Sequence, residues 1–146
     1  MSANLKKNVT VVGLLIVVCA AAFGFYIFNK GPVEVKNSSA QKIGAIALYE
    51  AYNADTTAAQ KNYAGKILQV SGVVTTVSTN LKGETIVLLK TNTEGAFINC
   101  TLEQKPIAIK NNDTLQVKGI CSGIGQGEPD LGIKGDVYLT RSIIVE

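Results

Sequence analysis

From Val9 to Phe28 the chain reads VTVVGLLIVVCAAAFGFYIF, twenty residues without a charge and with Thr10 as the only strongly polar side chain. As a helix, such a run rises about 1.5 Å per residue and spans about 30 Å, the thickness of a bilayer's hydrocarbon core. A buried helix of a soluble core is the bland alternative, disfavoured because charges bracket the run and no polar face interrupts it. A secretory signal is the stronger rival, because Lys6 and Lys7 form a basic leader and Ala20, Ala21 and Ala22 resemble a cleavage site. FGFYIF carries the apolar run past those alanines, which suits an uncleaved anchor. Cys19 follows Val18, where a lipidation site would place a small residue. Lys6, Lys7 and the free amino terminus outweigh Lys30 as flanking charge. That bias places residues 1–8 in the cytoplasm, 9–28 in the membrane and the rest in the periplasm or outside the cell.

Charge narrows the class of partner. Lys6, Lys7 and Lys30 account for the whole net charge of +3, and residues 31–146 hold eleven bases against eleven acids. A nucleic-acid binder displaces counterions with a basic stripe, and this region has no basic excess. Its first part, NKGPVEVKNSSA (29–40), reads as a linker, with Gly31-Pro32 and no periodicity. A helix is expected from near Ala40, capped by Ser38 or Ser39, to about Tyr52. A second is expected from about Thr56 to Tyr63, unless the two form one kinked helix, with capping chemistry in NADTT and a stop at Gly65. Ala45, Leu48, Tyr52, Ala59 and Tyr63 fall close to one helical face.

Beyond Gly65 the period shortens to two. KILQVSGVVTTVST (66–79), ETIVLLK (84–90), AFINCTL (96–102), TLQVKGIC (114–121) and DVYLTRSIIV (136–145) read as five strands. Gly72 predicts a bulge or bend in the first. Five short strands in about eighty residues fit a small closed barrel, which removes exposed edges. An OB-fold barrel is the expectation and an SH3-like barrel the rival. The connection EQKPIAIKNN (103–112) holds Pro106 and is too short for a full helix, so the helix preceding the first strand is expected to cover the barrel bottom. The domain is thus read as residues 41–146, mostly β, with helices at its start.

Three stretches resemble a known family: YNADTTAAQKNYAGKILQVSGVV (52–74), INCTL (98–102) and DTLQVKGICSG (113–123). They are similar to the tRNA-anticodon-binding-like (tRNA_anti-like) OB-fold family of small bacterial envelope proteins, often secreted or lipid-anchored. The most specific part is Tyr63, Gly65, Lys66 and the V-x-G-x-V of Val70, Gly72 and Val74. The resemblance extends from Ala40 to Glu146. Cys100 and Cys121 also match the pattern, while Ser142 stands where many members place a third cysteine. The resemblance implies the fold and no particular activity.

Few residues offer chemistry. The chain has no histidine, which excludes Ser-His-Asp and Cys-His catalysis and the commonest transition-metal ligand. A Ser-Lys arrangement would have to use Ser71 and Lys66, and Lys66 reads instead as a stem packed on Tyr63 with its ammonium in water. Glu128 and Asp130 share a loop without calcium-loop spacing, so a solvated loop is expected. The run SGIGQGEPDLGIKG (122–135) carries five glycines, yet neither a following helix nor a Gly-Lys-Ser/Thr ending, so it is no phosphate cradle. It reads as a long, mobile hairpin loop bordering the usual OB binding face.

Phe97, Asn99 and Tyr138 are the candidate binding residues. Phe97, Asn99 and Thr101 share one face of their strand, with Ile98, Cys100 and Leu102 on the buried one. Cys100 and Cys121 both lie in the apolar phase of their strands, and a disulfide between them is expected. No cofactor, metal or catalytic residue is expected. The reading is a membrane-anchored, extracytoplasmic binding or structural module that meets an envelope protein, peptide or glycan. The alternative is a single-stranded nucleic-acid-binding OB-fold protein, against which the balanced charge and few exposed aromatics count.

Overall fold

The charge-free run is helical in the computed structural model, which describes residues 3–29, 34–106 and 108–145. This helix, α1 (Ala3–Phe28), is the one among the described residues long and apolar enough to cross a membrane, and none of its Val9–Phe28 stretch is buried. By contacts the chain divides into Met1–Val33 and Glu34–Glu146. Gly31 and Pro32 of the expected linker lie outside the described residues. Residues 34–40, also read as linker, belong to the second unit: Val35 is buried, and Lys118 Nζ donates to the carbonyls of Lys36 and Ser38.

The second unit runs β1 (Gln41–Gly44), α2 (Ala45–Ala54), α3 (Thr56–Tyr63), β2 (Ile67–Thr79), β3 (Thr85–Lys90), β4 (Phe97–Leu102), β5 (Thr114–Ile124), a 3-10 turn (Pro129–Leu131) and β6 (Val137–Val145). The long strand β2 serves two neighbours in turn, pairing antiparallel with β5 through Ile67–Val73 and with β3 through Val74–Thr79. Strand β3 continues antiparallel to β4, β4 lies parallel to β6, and β6 returns antiparallel to β5. The ring β2-β3-β4-β6-β5 closes on β2. A closed five-stranded barrel with this order is an OB-fold. Its interior is filled by the alternate residues of each strand, among them Leu68, Val70, Val87, Leu89, Ile98 and Leu139, all fully buried. Each such side chain stabilises the fold by about 1.5–3 kcal/mol relative to exposure.

Two helices precede the barrel, as expected. Ala45, Leu48, Tyr49 and Tyr52 bury one face of α2, which packs on β1, β2, β3 and β4. Asp55 separates the helices, and its carboxylate accepts from Ala58 N at 3.0 Å, capping α3. Tyr63 closes α3 with its ring centroid 6.2 Å from that of Tyr52, and Gly65 turns the chain at φ 74°.

Four expectations are corrected. The first helix starts at Ala45 and not near Ala40, because residues 41–44 form β1, parallel to Leu68–Ser71 of β2. The irregularity in β2 lies between Val74 and Thr76 and not at Gly72. Gly72 is required instead by the approach of α2, since a β-carbon there would stand 2.9 Å from Ala45 Cβ and 3.2 Å from Leu89 Cβ. Cys100 and Cys121 are both buried, free thiols. Their strands are separated by β6, with Leu139 the lateral partner of each. Two strand spacings amount to about 9–10 Å, beyond the roughly 7 Å Cα reach of a disulfide. Burial pushes the Cys100 thiol up to about 12, and Tyr52 Oη lies 3.5 Å from Cys121 Sγ. The fourth concerns residues 34–40, read as part of the linker, which belong to the second unit with Val35 buried.

Candidate functional site

Between β5 and β6 the glycine-rich segment folds back as a two-ply strap. Gly125 N donates to Asp136 O at 2.8 Å, and Glu128 and Ile133 exchange backbone hydrogen bonds of 2.9 and 3.0 Å. The Pro129–Leu131 turn forms the tip, reversed by Gly132 at φ 68°. A β-carbon on Gly135 would run into the Gly125 carbonyl, and one on Gly127 into the Ile133 carbonyl. Close approach of two backbones therefore explains these glycines. Tyr49 Oη donates to Gly135 O at 3.2 Å, tying the strap to α2. Burial, and then the nearby negative charge of Asp136, raises the Tyr49 pKa, which keeps the hydroxyl a donor.

Strap and helices enclose a cleft of about 980 Å³. Asn53, Thr57, Gln60 and Lys61 line its helical wall, and Gln126 and Lys134 its strap wall. Tyr49, Ile124 and Ile133 add apolar surface, and no carboxylate lines it. The neighbouring acids have other work: Asp55 caps α3, and Asp136 Oδ1 accepts from Phe97 N at 3.0 Å. The hydroxyls and carboxamides can donate and accept hydrogen bonds and the two ammonium groups can donate them, but together they offer no acid–base pair.

The predicted residues Phe97, Asn99 and Tyr138 share the outer face of the β4–β6 pair. Asn99 and Tyr138 are lateral partners, Tyr138 is 40% exposed, and Phe97 and Asn99 are half-buried. Tyr138 reaches the strap: a β-carbon on Gly125 would stand 2.7 Å from its Cε2. Phe97 lines a second recess of about 600 Å³. Lys66 and Ser71 are five residues apart on one extended stretch, about 16 Å, and form no dyad. Glu128 and Asp130 are exposed on the strap.

Sequence reasoning missed the cleft itself. Asn53, Thr57, Gln60 and Lys61 recur at offsets of 0, 4, 7 and 8, a polar helical stripe that reads like any solvated face. Only the strap opposite makes it a wall.

A sequence model of the tRNA_anti-like family matches residues 4–131. No curated protein sequence matches the chain. Among solved structures, the "putative nucleic acid-binding lipoprotein" of Klebsiella pneumoniae subsp. pneumoniae is similar with a TM-score of 0.53 at 16% identity, over 79% of this chain and 99% of that one. A "putative aspartyl-tRNA synthetase" from Leishmania major is similar with a TM-score of 0.44 at 10% identity, over 79% of this chain and 23% of that one.

Proposed function

The chain belongs to the tRNA_anti-like family, and from that premise we propose that it is a membrane-anchored, extracytoplasmic module that acts by binding. Its ligand is an extended polar segment, a peptide or glycan of the bacterial envelope, held between α2–α3 and the strap. One observation carries this reading: among the described residues the cleft is walled by hydroxyl, carboxamide and two ammonium groups, with apolar patches and without carboxylates. Sites of about 300–1,000 Å³ with a few convergent polar groups are typical of ligand pockets. The missing histidine and the acid-free lining favour binding over catalysis. The anchor rests on α1, whose Val9–Phe28 stretch is apolar on all sides.

The test uses the full chain in nanodiscs, titrated with envelope glycan fragments and a peptide library. Gln60→Ala with Lys61→Ala, both exposed, should weaken the best ligand at least about tenfold while leaving the melting temperature unchanged. Unaltered affinity in that variant would remove the cleft from the mechanism.

A second reading, binding of single-stranded nucleic acid, is favoured by Phe97 and Tyr138 on one outer face and by the name of the Klebsiella fold relative. Balanced charge opposes it, and non-specific affinities near 10⁻⁴ to 10⁻⁶ M that collapse with salt are the expected ceiling, about what any weakly basic surface gives. Nanomolar binding to single-stranded DNA at physiological salt would reverse the ranking.

A further inference from the structure

Phe97 and Tyr138 stand between two recesses. On the strap side, Tyr138 lies against Gly125, which lines the large cleft. On the other side, Phe97 lines the smaller recess together with Val73 and Thr75 of β2, Lys90 and the Asn111–Asn112 pair. Asn99 lies two residues along β4 from Phe97 and directly beside Tyr138. With strands about 4.8 Å apart and two residues rising about 6.6 Å, Phe97 and Tyr138 stand about 8 Å apart between Cα atoms on one face.

We propose that the cleft, the Phe97–Tyr138 ridge and the smaller recess form one track for a linear, hydroxyl-rich glycan several sugar units long. This rests on the binding reading above and extends it. Both ends carry carboxamides: Asn53, Gln60 and Gln126 in the cleft, beside Lys61 and Lys134, and Asn111 and Asn112 in the recess, beside Lys90 and Glu94. A carboxamide presents a donor and an acceptor side by side, which matches a vicinal pair of hydroxyls. Thr75 Oγ1, beside the β2 bulge, is buried with no hydrogen-bond partner among the described residues. Thr75 lines the smaller recess, so a sugar hydroxyl bound there is a candidate partner for it. Between the two ends, the aromatic faces offer apolar surface to the C–H faces of a sugar ring.

The other extended polymers fit less well. A peptide that docks through its backbone needs a free strand edge. Along the ridge both edges of β4 are taken by β3 and β6, and both edges of β6 by β4 and β5. A nucleic acid needs cations along its phosphates. Lys61 and Lys134 line the cleft and Lys90 the smaller recess, where Glu94 offsets it, and the ridge of Phe97, Asn99 and Tyr138 between them carries no cation to follow a phosphate backbone.

The experiment titrates the full chain in nanodiscs with linear β-1,4-linked glucose and N-acetylglucosamine oligomers of two to eight units. Affinity should climb at least about tenfold from dimer to hexamer and then level off. Phe97→Leu, which keeps apolar volume without the flat ring, and Asn111→Ala with Asn112→Ala should each abolish that gain and leave dimer binding intact. Three results overturn the track: no oligomer of either series binds, affinity is independent of length, or single-stranded DNA binds more tightly than every oligomer. If the Phe97 and Asn111–Asn112 variants bind like the parent while Gln60→Ala with Lys61→Ala does not, the track is wrong and the cleft reading stands. If neither set changes binding, both are wrong.

Discussion

Cys100 sits where no water reaches it, and burial holds its thiol protonated up to about 12, against an ordinary value of 9.0. Burial raises Tyr52 in the same direction, reinforced by its hydrogen bond to Cys121. These groups are acids whose folded pKa exceeds the unfolded one. Their neutral burial is therefore fully compatible with folding below about pH 9, and stability is lost as pH rises toward the folded value, because only the unfolded chain ionises there. Cys100 alone should cost about 1 kcal/mol by pH 10. Urea unfolding at pH 8 and pH 10 measures it: the parent loses stability across that interval, and Cys100→Ala, less stable at the outset, loses less. An equal decline in both would show that the thiol is not the group responsible. Mass spectrometry after alkylation of the urea-unfolded chain without reduction should find both barrel cysteines modified. Alternation along β4 and β5 made their burial legible, with Ile98 and Leu102 beside one and Val117 beside the other. It carries no information about which strand intervenes, so the bridge had to await the β6 placement.

At the scale of elements, α2 and β2 meet where Gly72 leaves space. Adding one methyl there would press on Ala45 Cβ and Leu89 Cβ, both set in rigid, fully packed surroundings. Gly72→Ala should destabilise the domain by about 1–3 kcal/mol, the usual cost of overpacking. In a double-mutant cycle with Ala45→Gly the combined loss should be smaller than the sum of the single losses. Strict additivity in thermal melts would mean that the two positions do not press on each other. The pair of helices was readable from apolar spacing and from Asp55, a local cap. The strand β1 was not, since Gln41, Lys42, Ile43 and Gly44 have no distinctive pattern of their own and become a strand only beside Leu68–Ser71. The strap's glycines were visible as an oddity, but the close backbone pairing that requires them joins residues six to ten apart.

For the whole molecule, the first unit and the second carry different parts of the proposal. The +3 charge belongs to residues around the apolar helix, leaving the barrel unit balanced. If the anchor reading holds, protease added to intact spheroplasts should digest the barrel unit, whereas barrel protection would place it in the cytoplasm. A mature chain that starts near Phe23 would turn the anchor into a signal.

The amino-acid order by itself determined the anchor-length helix, the helix pair, the five strands of the barrel and the inward set of residues. All of these follow from periodicity, caps and breakers, which act over a few neighbours. Tertiary structure decided the rest. Phe97, Asn99 and Tyr138 could be named from alternation, yet only the parallel β4–β6 register puts Asn99 beside Tyr138. The cleft joins a polar stripe on α2–α3 to a strap some sixty residues later in the chain, and the free thiols follow from one strand passing between two others. Contacts of that kind are set by barrel closure, which no local stretch encodes.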